Sequence, residues 1–186
     1  QRDFILTTSP SMDILISSNL ERLLYLSTGC DAEQTAKLMN QLGTEGHYTV
    51  TPEMKAKMAD FCGGFATEAE DAAAIRELYD ETGYVIDTHT GVASAVYQQY
   101  KKNTGDETKT VIASTASPYK FSRSVMEAIS DEKLPEDEFA VIDELCRVSG
   151  VEIPKAVEEI RNAQIRHKLE CDVQDMKKTV AKILGI

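Results

Sequence analysis

The sequence predicts an α/β fold with a parallel sheet, and three observations carry that expectation. Between Thr67 and Ile129 the patterns alternate as helix, strand, helix, strand, helix, the signature of βαβ units. The run Thr110-Val111-Ile112 is β-branched and ends in the small residues Ala113, Ser114 and Thr115 before Ser117-Pro118 opens a helix. Strand ends of this kind are where open α/β sheets place their ligands. Beyond Asp131 the pattern changes: Pro135 and Pro154 punctuate helices rich in Glu, Lys and Arg, with no strand signal. The predicted organisation is therefore an α/β domain over 1–130 and a helical extension over 131–186.

Each element has its own signal. Phe4 to Thr8 reads as a short strand or extended entry, broken by Ser9-Pro10-Ser11. Ser17, Ser18 and Asn19 are N-cap residues for a helix carrying Leu20, Leu23, Leu24 and Leu26, with Gly29 as its stop. Asp31 starts a second helix, with Gln34 at the capping-box position and Gly43 near its end. His47 to Val50 is a short strand candidate, and Thr51 caps a short helix with Pro52 at its first position. Phe61 to Phe65 is a break. Thr67-Glu68-Ala69-Glu70 is a capping box before a helix that Gly83 ends. Tyr84 to Asp87 is a brief apolar strand, Thr88-His89-Thr90 opens the next helix, and Asn103 to Asp106 is a turn. The strand to Ala113 and a helix from about Phe121 to Ile129 follow.

Composition bounds the function. The 186 residues carry a formal net charge of −11 and are 42% hydrophobic. That is a normal globular balance, and an acidic surface disfavours nucleic acid and anionic membranes as partners. Cys30, Cys62, Cys146 and Cys171 form no CxxC pair and stand at no zinc-ligand spacing. They read as reduced thiols of a cytoplasmic protein. No apolar run approaches a membrane span and no signal peptide is visible. Gln1 is not an initiator residue, so the expectation is a part of a longer protein.

Three constellations bear chemistry. Ser114 and Thr115 offer hydroxyls at a strand end, able to hydrogen-bond a heterocyclic nitrogen without adding charge; this suits a pyridine nitrogen that stays largely unprotonated. The plain alternative is capping of the next helix. Asp87-Thr88-His89-Thr90 sets a carboxylate and an imidazole at a helix start, suited to acid/base work or to orienting a ligand, or simply to an N-cap. Gly91 beside them permits close approach. Ser17-Ser18-Asn19 with Arg22 makes an anion site or an ordinary capped helix. GxGxxG, Walker, GxSxG and HExxH motifs are all absent. His47 has no ligand spacing, His167 lies in a charged helix, and Lys120 reads as a surface lysine at a helix start.

Three segments, in order, resemble one family. Thr8-Ser9-Pro10-Ser11-Met12-Asp13-Ile14-Leu15-Ile16-Ser17-Ser18-Asn19-Leu20-Glu21-Arg22-Leu23-Leu24 is similar to the SPAMDILISSNFERLL stretch of the longer threonine synthases. These are pyridoxal-phosphate enzymes that make threonine from O-phosphohomoserine. Thr82 to Ala93 is similar to their GYLIDPHTAVA stretch, and Ala113 to Phe121 to their LSTAHPAKF stretch. Thr88 stands where the family often has Pro, and Ser117 where it often has His.

The resemblance implies the doubly wound sheet of a fold type II pyridoxal-phosphate enzyme. It places Thr115 against the cofactor's pyridine nitrogen with Ser114 beside it. It places His89 and Thr90, and less closely Ser18 and Asn19, on the active-site wall. The family's F-K-D segment with the Schiff-base lysine and its glycine-rich phosphate loop are not in this sequence. The expectation is thus a C-terminal fragment of threonine synthase with no catalytic residue and no metal site of its own, completed by a missing N-terminal portion and inactive alone. Two alternatives stay open: a stand-alone non-catalytic binding domain, and a related fold type II lyase acting on another amino acid.

Overall fold

The computed structural model describes residues 3–186, and no strand occurs among them. This corrects the expected α/β sheet: the chain is a helical assembly joined by extended segments. Phe4–Thr8, His47–Val50, Tyr84–Asp87 and Thr110–Ala113 all have non-regular backbone. The reason is that β structure is a pairing property. A β-branched run becomes a strand only when a neighbouring backbone completes its hydrogen-bond ladder. Thr110 to Ala113 has no such neighbour among the described residues, and Val111 is 94% exposed.

The chain divides into two compact units, one up to Glu152 and one from Ile153 to Ile186. The first opens with α1 (Ser18–Ser27), α2 (Ala32–Glu45) and α3 (Pro52–Lys57). Each starts on a side-chain cap: Ser17 accepts from the Leu20 N–H, Asp31 from Gln34 and Thr51 from Met54. Each cap satisfies an amide that the helix itself leaves unpaired. Gly43 lies inside α2, which runs on to Glu45 and stops at Gly46 with φ of 75°. Leu24, Leu38 and Met54, one from each helix, form the core here, with Met39, Tyr48, Val50 and Met58 against it.

The rest of the first unit is α4 (Glu68–Thr82), α5 (Thr88–Thr104), α6 (Ser122–Ile129) and α7 (Glu138–Ser149). α4 packs on α5 and on α6, and α6 packs on α7. Val125, Met126, Val141 and Leu145 are fully buried in this packing, as is Ile75 to within 1%. Both halves of the capping box at Thr67 and Glu70 are made. The second unit holds α8 (Lys155–Arg161) and α9 (Met176–Leu184), joined by irregular backbone and a short 3-10 turn. Among the described residues no helix is long and apolar enough to cross a membrane.

Candidate functional site

The N-terminus of α5 is the polar centre of the first unit. Asp87 is its N-cap and is completely buried. Four donors surround its carboxylate. Oδ1 accepts from the backbone N–H of His89 at 2.9 Å and of Thr90 at 3.4 Å. Oδ2 accepts from the Ala116 N–H at 3.2 Å and from the Thr90 hydroxyl. A buried carboxylate is tolerated where its lone pairs are met in this way.

Thr90 passes this anchoring on. Its Oγ1 accepts from the Thr115 N–H at 3.0 Å and lies 3.2 Å from the Thr115 hydroxyl oxygen. The Thr115–Ala116 backbone is therefore pinned to the first turn of α5, although it sits 25 residues further along. Thr90 is buried, whereas Thr115 and Ser114 are exposed. The result is an exposed residue with an uncharged hydroxyl, held by a buried neighbour.

His89 is buried, 2% exposed, with its ring centroid 4.7 Å from that of Phe121. Its Nε2 accepts from the Ser11 N–H at 3.1 Å, so that nitrogen carries no proton. The proton of the neutral ring then sits on Nδ1, 3.4 Å from both Asp87 Oδ1 and the Thr88 hydroxyl. His89 is thus a bridge that ties the Ser9–Asp13 segment to α5. The Thr88 hydroxyl reinforces that tie by donating to the Thr8 carbonyl at 2.9 Å.

From the other side, α4 holds the same segment. Glu68 accepts from the Thr8 N–H at 3.0 Å, and Asp71 accepts from the Ser9 hydroxyl at 3.4 Å. Asp71 is 2% exposed, and burial pushes its carboxyl up to about 6; nearby Asp87 and Glu68 push the same way, against the hydrogen bonds from Ser9 and Thr8. Its Oδ1 has no hydrogen-bond partner. The sequence patterns gave no sign of this carboxylate, which reads there as one of several acids in a capped first turn.

Of the expected site residues, His89, Thr90 and Thr115 come together, with Ser114 adjacent in sequence. Ser18 and Asn19 stand exposed on the first turn of α1, where Asn19 accepts from Arg22. Ser18 and Arg22 line a 500 Å³ depression with Tyr25 and Thr35. Lys120 is exposed, its Nζ 5.3 Å from the centre of the Phe121 ring. All four cysteines are free, and among the described residues no group of three His, Cys, Asp or Glu is disposed to hold a metal.

The family model described as threonine synthase, C-terminal, matches residues 90–167, starting at Thr90 and including Thr115. The human protein threonine synthase-like 1 is 35% identical over 137 residues, covering 73% of this chain and 18% of the relative. The threonine synthase of Schizosaccharomyces pombe is 37% identical over 136 residues, covering 67% of this chain and 26% of that protein. Among solved structures, threonine synthase from yeast aligns with all of this chain at a TM-score of 0.66 and 25% identity, and 38% of that chain is covered. The PLP-bound threonine synthase from Brucella melitensis aligns with 81% of this chain at a TM-score of 0.59 and 30% identity, covering 31% of that chain. This chain therefore spans well under half the length of each of these relatives.

Proposed function

This chain is a C-terminal portion of the threonine synthase family, and we propose that the full-length protein containing it converts O-phosphohomoserine and water to threonine and phosphate with pyridoxal phosphate. The observation that carries this reading is Thr115: an exposed hydroxyl at the end of an extended segment, held by Thr90, which Asp87 anchors in turn. An uncharged hydroxyl fits a pyridine nitrogen in size and polarity, so the residues present suit the cofactor's ring edge.

In this reading Thr115 faces the ring nitrogen and Ser114 flanks it. Pyridoxal phosphate, when bound, supplies the electron sink for elimination at the substrate's carbon chain. The chain's own residues orient and support. Asp87 and Thr90 hold Thr115 in place, and buried support of this kind fixes the position of a binding group. His89 holds the Ser9–Asp13 segment against α5, so it acts as a positioning residue. The Schiff-base lysine and the phosphate loop belong to the N-terminal portion, which is the partner this chain requires. The cytoplasm is the proposed compartment.

The test is phosphate release from O-phosphohomoserine by the full-length protein loaded with pyridoxal phosphate. Release that falls in Thr115→Ala supports the reading. A full-length protein that binds the cofactor and releases no phosphate overturns it.

A further inference from the structure

We infer that the apolar stripe of α9 is a docking surface for the N-terminal portion of the full-length protein. The docking partner follows from the reading of this chain as the C-terminal portion of a longer protein, not from the reaction proposed for it. Within α9, Met176, Val180, Ile183 and Leu184 recur at helical spacing and so share one side of the helix. They are between 52% and 65% exposed. At 100° per residue Lys177 borders this stripe, while Lys178 and Lys182 fall on the opposite side.

No residue from Ile153 to Ile186 is buried. A unit below about 40 residues usually holds its structure in water through a disulfide, a metal or association. Cys171 is free, and among the described residues no group of three His, Cys, Asp or Glu is disposed to hold a metal. Association is the route left, and a contiguous apolar stripe is the surface that serves it. Two observations select the occupant. The yeast threonine synthase aligns with all of this chain, α9 included, yet only 38% of that chain is covered. Most of such a polypeptide lies outside the aligned part, and a surface on the same polypeptide docks without the loss of freedom that a second molecule brings. Charge disfavours a second copy of α9. Met176–Leu184 carries Lys177, Lys178 and Lys182 and no acid. Two such helices packed together have axes about 8–10 Å apart, within about one Debye length at physiological salt. The complementary surface is therefore apolar, with a carboxylate at its edge that meets Lys177.

The experiment uses the full-length protein, with unlabelled and ¹⁵N-labelled copies mixed and treated with a water-soluble carbodiimide, which joins a lysine to a carboxylate only where the two touch. Hydrogen exchange across Met176–Leu184 is followed in parallel. The expected result is coupling of Lys177 to an Asp or Glu of the N-terminal portion within one isotopic copy. Val180→Asp, which sets a charge in the stripe, should abolish that coupling and speed exchange by about tenfold or more, since the helix loses the contacts that protect it. Ile183→Ser supplies the same comparison if the first variant does not fold. Lys177 coupled only between isotopic copies assigns the stripe to a second copy and overturns the inference. Lys177 coupled only within residues 1–186, or not at all, also overturns it, as does exchange that neither variant changes. Neither readout depends on turnover, so a full-length protein that releases no phosphate overturns the proposed reaction and leaves the docking result standing.

Discussion

Gly91 leaves the space that the Asp71 carboxylate occupies: a Cβ placed at Gly91 would lie 2.1 Å from Asp71 Oδ1 and 2.8 Å from Ile75 Cγ1. α4 and α5 approach each other at this point with no room for a methyl group. The close approach brings α4, with Glu68 and Asp71, within reach of Thr8 and Ser9, the segment that α5 grips through Thr88 and His89.

Gly91→Ala is accordingly expected to destabilise the protein by about 1–3 kcal/mol, the range for overpacking a filled core. Denaturant unfolding measures it. In a double-mutant cycle with Asp71→Ala the two losses should sum to more than the double variant shows, because removing the carboxylate frees part of the space. Strict additivity would mean that the two residues do not meet.

Asp71 also makes a pH prediction. Its folded-state carboxyl titrates at about 6, above the usual value of 3.8. Between these values the folded state binds more protons than the unfolded one, so this group's contribution lowers stability as pH rises from about 4 to about 6. Below about 4 the penalty is absent, and above about 6 it is complete, on the order of 3 kcal/mol. Asp71→Asn should remove this fall. Unfolding midpoints collected across that window would show a smaller loss of stability with rising pH in the variant; identical pH profiles would count against the assignment.

The capping box at the start of α4 is a local device with a local cost. The Thr67 N–H donates to Glu70 Oε2 at 2.7 Å, and the Glu70 N–H donates to Thr67 Oγ1 at 3.3 Å. Thr67→Ala should cost about 1 kcal/mol by thermal or chemical unfolding. Thr67→Ser should recover most of it, since the oxygen is what the helix start requires.

Leu24 is the buried residue that α1 contributes to the core it shares with α2 and α3. Leu24→Ala should cost about 2–5 kcal/mol, through lost burial and a cavity that the neighbours only partly refill. Circular dichroism during chemical unfolding would register it, and a loss below 1 kcal/mol would indicate that α1 is held by other contacts.

Thr115→Ala in the full-length protein should weaken cofactor retention or turnover by about tenfold or more, the worth of one buried hydrogen bond of about 1–3 kcal/mol. Ser114→Ala should cost less, since Ser114 has no comparable anchor on α5. Equal losses in the two variants would move the ring contact away from Thr115.

Much of this was legible in the sequence because it is local. The caps at Ser17, Asp31, Thr51, Thr67 and Asp87 need only a side chain and an amide two or three residues on, so spacing alone locates five helix starts. Gly43 marks the end of α2 only approximately, since the residue that closes the helix, Gly46, is identified by its φ of 75°. The candidate residues His89, Thr90 and Thr115 were visible as residue types. Their roles were not, since His89 takes its tautomer from Ser11, 78 residues away, and Thr115 takes its orientation from Thr90.

By itself, then, the sequence determined where five of the helices begin and which hydroxyls and carboxylates stand near their first turns. These depend on neighbours along the chain, which covalent connectivity already supplies. The tertiary structure alone decided that the β-branched segments find no strand partner among the described residues, that Asp71 is buried, and that Thr90 links Asp87 to Thr115. Each of these is a contact between distant residues: a strand needs another backbone beside it, a raised carboxyl needs the surroundings that bury it, and a hydroxyl points where its partners direct it.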